Sequence, residues 1–279
     1  MVDIRQTQEY AKYLSKTGWK VERIAEINYF IKKIPLLGSF LKIQRPEEIR
    51  YKEIKILSNK YRAFQILVEP KTELDTEFLT SVGFKLSRSP YLPSKTLQLN
   101  LTHSNSRLIK NMRKDARKVI FDYENVVKIE ANPLVKSGKN DESTIGLFRQ
   151  AWKGAVALKR YVPSLPQLVA LAESFKEGAF FITTKEQNAG AIFLLGDKIA
   201  YYWQAWTNKE GRKTHAQYKI VWEGIKWAKA RGAKVFDFEG IYDERFPNKS
   251  WLGFTHFKKS FGGYDVSYPG CVIKSRLPI

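Results

Sequence analysis

Apolar and polar residues along this chain fall into short blocks, some alternating and some recurring every three or four positions, separated by Gly, Pro, Asn and Asp. Alternation marks half-buried strands, and the wider spacing marks helices that face a core. Residues 5–18 place Tyr10, Tyr13 and Leu14 at helical spacing and stop at Gly18. Residues 21–34 read as one strand, 40–45 as another and 47–59 as a helix. A strand over 62–68, a short helix over 76–82 and a strand over 96–101 follow. Residues 108–119 read as a single helix and 126–130 as a strand. Residues 132–141 carry Pro133, Gly138 and Asn140 and read as a linker. Beyond it the pattern predicts helices over 142–158 and 165–175, then strands over 179–184, 191–195 and 199–206. A helix over 216–230 stops at Gly232 and leads into a strand over 235–239.

This order predicts a mixed α/β fold, and a short repeat predicts that it is built twice. Phe78 and Phe257 are each followed by Ser three residues on and Gly five residues on, and each lies after a strand ending near a glutamate, Glu69 or Glu239. Leu79-Thr80 in the first copy stands where Lys258-Lys259 stands in the second, so anion chemistry is expected in the second copy. The expected division is a first unit over 1–133 and a second over 134–279, with the tail 270–279 packing back on the first.

Charge changes the picture most. Forty-eight Lys and Arg against 28 Asp and Glu leave a net charge of +20, which favours polyanionic partners. A single cysteine, Cys271, excludes an intrachain disulfide framework, and three histidines make a histidine-rich metal centre an unexpected feature. No apolar run approaches the roughly 20 residues of a membrane span, and residues 1–10 lack a signal-peptide core. A cytoplasmic protein is expected, working at the inner face of the membrane if its acceptor is lipid-linked.

The candidate chemistry gathers between Lys234 and Tyr268. Asp237 and Glu239 sit in a strand-like run, where burial is costly without partners. Lys258 and Lys259 lie between Phe257 and Phe261-Gly262-Gly263, a place suited to holding an anion. Upstream, Arg107, Lys110, Arg113, Lys114, Arg117 and Lys118 crowd one stretch against a single acid, Asp115, and could meet phosphates. Lys33 and Arg45 border first-unit strands and could hold an acceptor diphosphate. Tyr202 and Trp206 fall on one face of their strand and could line a cleft. A mixed unit closing in a glycine hairpin suggests the GNAT acyltransferase fold, whose acyl-CoA pyrophosphate rests on a glycine-containing turn at a helix start. The matching turn, Arg212 to Gln217, has His215 and Gln217 where the glycines are expected, so no CoA cofactor is predicted.

In this setting the chain resembles the Fem family of non-ribosomal peptidyl transferases, which build peptidoglycan side-chain bridges from aminoacyl-tRNA. The resemblance is carried in order by residues 64–70, 82–85, 96–101, 113–118, 196–202, 237–241 and 257–263. It implies two tandem GNAT-like domains with a cleft near their boundary, aminoacyl-tRNA as co-substrate and a UDP-linked or lipid-linked muramoyl pentapeptide as acceptor. It implies that Lys258, with Phe257 beside it, contacts substrate and neutralises developing charge, and that the basic helix meets tRNA. Arg160, in the loop 159–161, is implied as an acceptor contact, and Tyr91, Asp237 and Glu239 complete the expected substrate-binding set. Asp237 or Glu239 could accept the attacking amine's proton, as could the substrate's own groups. The chain departs from the family in carrying Glu239 where a glycine is common and in lacking a helical arm in its second half. Two alternatives stay open: acyl transfer to a protein or small amine, and a non-catalytic tRNA-binding module.

Overall fold

The computed structural model describes residues 1–122, 129–132, 142–156 and 160–275. The expected linker, apart from Asn132, and Lys159 lie outside these residues. The first half runs α1 (Gln8–Lys16), β1 (Lys20–Ile24), β2 (Ile27–Ile34), β3 (Gly38–Gln44), α2 (Tyr51–Lys60), β4 (Ala63–Glu69), α3 (Glu73–Ser81), β5 (Lys85–Leu86) and β6 (Lys95–Asn100). There follow α4 (Asn105–Asn111), α5 (Lys114–Asp122), β7 (Ile129–Asn132), α6 (Glu142–Val156), α7 (Leu165–Phe175), β8 (Ala179–Thr184), β9 (Ala189–Gly196) and β10 (Ile199–Thr207). The chain closes with α8 (Lys209–Lys213), α9 (Ala216–Ala230), β11 (Val235–Gly240), α10 (Leu252–Lys259), β12 (Tyr264–Ser267) and β13 (Val272–Ser275).

These strands form two mixed sheets, ordered β1-β2-β3-β4-β13-β5 and β12-β6-β11-β10-β9-β8-β7. Each holds one parallel pair, β3 with β4 and β10 with β11, joined by a crossover helix, α2 or α9. The strand next to each parallel pair comes from the other half of the chain. The strand β13 pairs antiparallel with β4 and β5, while β6 pairs antiparallel with β11 and β12. The two halves therefore exchange a strand, and each sheet is completed by the other's chain. The expected cut at residue 133 does not follow the sheets. The strand β6 already belongs to the second one, and Leu108, Met112, Ala116 and Ile120 of the α4–α5 segment pack into its core beside Ile220, Val221 and Ile225 of α9. A separate cluster built on Ile43, Ile54, Ile66, Val68 and Phe84 forms the first core.

Two predicted elements are divided. Residues 21–34 form a hairpin, because Ala25 and Glu26 take φ of +46° and +67° and turn the chain so that Ile24 faces Ile27. Neither residue is a usual left-handed choice, so the turn left no mark in the sequence. Residues 108–119 belong to two helices, broken where Met112 is extended (ψ 153°) and the Arg113 N–H donates to the Ser260 carbonyl at 2.8 Å. The repeat at Phe78 and Phe257 is structural as well: each copy ends a short helix at a left-handed glycine, Gly83 (φ +91°) or Gly262 (φ +79°).

Candidate active site

The two parallel pairs differ in one respect. β3 and β4 stay paired as far as Gln44 opposite Glu69. β10 and β11 pair only through Ile199–Val235, Ala200–Phe236 and Tyr201–Asp237, and then separate. A bulge on β10 between Tyr202 and Gln204 turns that strand away. The opening is a cavity of about 810 Å3, walled by Tyr202 to Thr207 of β10, Glu239 of β11, the start of α9 and one side of α10. The bulge also resets the alternation of β10. Tyr202 stacks on Phe193 in one core, while Trp206 packs on Phe148 in the core across the sheet. They line the cavity from opposite faces, not from the one face that the spacing predicted.

Lys258, Phe257, Arg160, Tyr202, Trp206 and Glu239 of the expected set meet in this cavity. The Lys258 Nζ donates to the Gly240 carbonyl at 2.6 Å and lies 5.0 Å from the Phe254 ring centroid. Burial lowers its pKa to about 8, against the opposing pull of Glu239 and Asp237. Phe257 packs edge-on to Tyr218 and Phe261, which fixes the last turn of α10 and so the direction of Lys258. Lys259 points the other way, to Asp265 at 2.9 Å. At the start of α9, Gln217 Nε2 donates to the Tyr202 hydroxyl at 2.7 Å, and His215 holds a left-handed φ of +52°.

The N-terminal segment, which carried no functional signal in the sequence, fixes Glu239. The guanidinium of Arg5 donates to both Glu239 carboxylate oxygens at 3.0 Å and sits 5.2 Å from the centroid of Trp203, a cavity wall. Asp3 accepts from Arg5 and Arg45, and although its burial opposes ionisation, those two cations hold its carboxyl below the usual range. Glu239 itself takes φ +60°, a backbone that glycine adopts at no cost. This is the residue that stands where glycine is common in the resembling family, and the doubly bonded Arg5 is what compensates for it.

Several expected residues lie elsewhere. Asp237 is 2% exposed beneath the cavity, where it accepts from Thr96, from Gln98 at 2.8 Å and from the Glu239 N–H at 2.6 Å. Burial, reinforced by Glu239, lifts its pKa to about 6. With its lone pairs engaged, it shapes the splay of β11 and does not face substrate space. Arg45 is not a free cation: it is buried, ion-paired to Asp3 at 3.3 Å and stacked 3.7 Å from the Tyr268 ring centroid. Lys33 and Tyr91 are exposed and do not line the cavity. Of the basic stretch, Arg107, Lys110, Arg113, Lys114 and Lys118 are exposed and Arg117 is partly so. Arg113 reaches His256, a cavity residue, at 3.1 Å, so the basic ridge adjoins the cavity. Sequence reading missed Arg5, Trp203, His256 and Phe254; the last two share the short helix of Lys258 and were within its reach.

Two exchanged sheets with one splayed parallel pair define a tandem GNAT-like fold. Solved structures agree at the level of fold. FemX is 16% identical with a TM-score of 0.78, covering 98% of this chain and 92% of that one. L-PGS from Bacillus licheniformis is 12% identical with a TM-score of 0.60, covering 94% and 85%. A tandem GNAT protein from the clavulanic acid biosynthesis pathway is 9% identical with a TM-score of 0.51, covering 99% and 95%. No curated protein matches the chain. The family resemblance read from the sequence is borne out: the FemAB family model matches residues 164–278, the stretch that holds nearly all of the cavity.

Proposed function

We propose that this chain is a Fem-type aminoacyltransferase that moves an amino acid from aminoacyl-tRNA to the amine of a peptidoglycan stem peptide. The observation that carries the reading is a cavity at the splayed pair with a half-buried ammonium, Lys258, in its wall and a basic ridge at its edge. The acceptor amine attacks the ester carbonyl carbon, giving a tetrahedral oxyanion. Collapse breaks the bond to the tRNA ribose oxygen, which takes up the proton that the amine sheds. Lys258 faces the oxyanion as a fixed donor, a role worth about 3–4 kcal/mol for single donors elsewhere. Phosphates of the donor lie along Arg107, Lys110 and Lys114. His215 and Gln217 occupy the turn where a pyrophosphate would need close backbone approach, which favours a donor other than acyl-CoA.

The test is transfer itself. Purified protein meets labelled aminoacyl-tRNAs and a UDP-linked muramoyl pentapeptide, with the lipid-linked form and acyl-CoA in parallel arms. A one-residue mass gain on either acceptor from tRNA supports the reading. Transfer from acyl-CoA alone, or tRNA binding without transfer to either acceptor, overturns it.

A further inference from the structure

The β2–β3 hairpin ends in a tip exposed to solvent. Pro35, Leu36 and Leu37 are exposed there, Leu36 at 106% and Leu37 at 55%. Leu36 is held at φ +65°, a conformation in which a side chain is rarely placed, and Gly38 follows at φ +107°. The tip is thus a formed turn that presents two adjacent leucines to solvent.

Cations lie at its base. Lys33 is the last polar residue of β2 before the tip, and Arg62 sits at its base, where the Ser39 N–H donates to the Arg62 carbonyl at 3.1 Å. Among the described residues neither Lys33 nor Arg62 has an acid within ion-pair distance. Lys60 and Lys20 lie at the same end of the sheet and share one acid, Glu22. An apolar tip beside cations that outnumber their acids complements one kind of surface: apolar just below a layer of anions.

We propose that this hairpin tip docks the protein on an anionic lipid bilayer, with Leu36 and Leu37 entering the interface and Lys33 and Arg62 meeting the headgroups. Apolar insertion and basic attraction are separately weak, and stable peripheral binding takes both. Each cation near such a surface tightens partitioning about fivefold, and the gain fades with salt. The strand β3 leads from the tip to Gln44 and Arg45, and Arg45 pairs with Asp3, which pairs with Arg5, which holds the cavity residue Glu239. The seven residues of β3 span roughly 20 Å along the strand. The docking stands independently of the transferase reading.

The experiment uses the full chain and vesicles of phosphatidylcholine with or without phosphatidylglycerol. Wild type is expected to float with the anionic vesicles at moderate salt and to stay behind with the neutral ones. The variant Leu36→Asp/Leu37→Asp, checked for fold by circular dichroism, is expected to lose that binding, and Lys33→Gln/Arg62→Gln to weaken it more than tenfold. An environment-sensitive dye on Leu36→Cys, with the native Cys271 buried, is expected to shift to the blue on anionic vesicles. Undiminished flotation of the aspartate variant would mean that net charge alone binds, and would overturn the proposal. So would a dye that stays in water, or a wild type that ignores anionic vesicles.

Discussion

Replacing Lys258 by methionine separates its charge from its bulk. The side chain keeps its length, so packing against Phe254 survives, while the bond to the Gly240 carbonyl is lost. The lowered pKa already includes that bond, and it makes the buried ammonium net unfavourable by about 3 kcal/mol at neutral pH. The methionine variant should therefore be at least as stable as wild type at neutral pH. Catalysis should change far more, since losing a fixed donor to the oxyanion costs about 100- to 1,000-fold in rate. The assay is single-turnover transfer from aminoacyl-tRNA, with thermal denaturation and tRNA binding as controls. The pH dependence supplies a second check. Burial lowers the Lys258 pKa to about 8 from 10.5, so the ratio of wild-type to methionine-variant rates should shrink as pH rises through about 8. In stability the sign is opposite. Between about 8 and 10.5 the unfolded chain still holds the proton that the folded one has lost, so this group's contribution rises with pH there, and the variant lacks that rise. Transfer within tenfold of wild type, with fold and tRNA binding intact, would refute the role given to Lys258.

Arg5→Ala strands the Glu239 carboxylate and leaves Asp3 with Arg45 as its remaining cation, and should cost about 3–5 kcal/mol in urea denaturation. Asp237, raised from 3.8 to about 6 by burial, binds its proton more tightly in the folded chain, so its contribution falls as pH rises across that window. Asp237→Asn should flatten stability against pH there, by at most about 3 kcal/mol. Lys110→Gln/Lys114→Gln should weaken tRNA binding and lower the slope of log affinity against log salt by about 0.7–0.9 for each phosphate left without its cation. An unchanged slope would remove the ridge from the donor path.

Most elements were legible because each rests on a local signal. Helix α7 has Ser164 accepting from the Gln167 N–H and Pro166 in its first turn; α9 has its stop at Gly232; β8 to β10 have continuous apolar runs. Lys258 stood out for the same reason, as a charge set among aromatic residues at the end of a short helix. Three features left no such trace. The bulge of β10 lies between Tyr202 and Gln204, and a bulge is a matter of pairing with β9, so period-two reading put Tyr202 and Trp206 on one face. The turn at Ala25 and Glu26 uses residues that announce no turn. The partnership of Arg5 with Glu239 joins residues 234 positions apart.

The sequence by itself determined the strands and helices, their order, the doubling of the unit and the kind of charge that seeks a polyanion, because propensity, periodicity and net charge are properties of neighbours along a chain. Only the tertiary structure decided that the halves exchange β6 and β13, that β10 and β11 part while β3 and β4 do not, and that an N-terminal arginine holds the glutamate at the cavity. Those outcomes depend on which backbone groups find partners across the sheets and on which buried charges must be matched once water is gone.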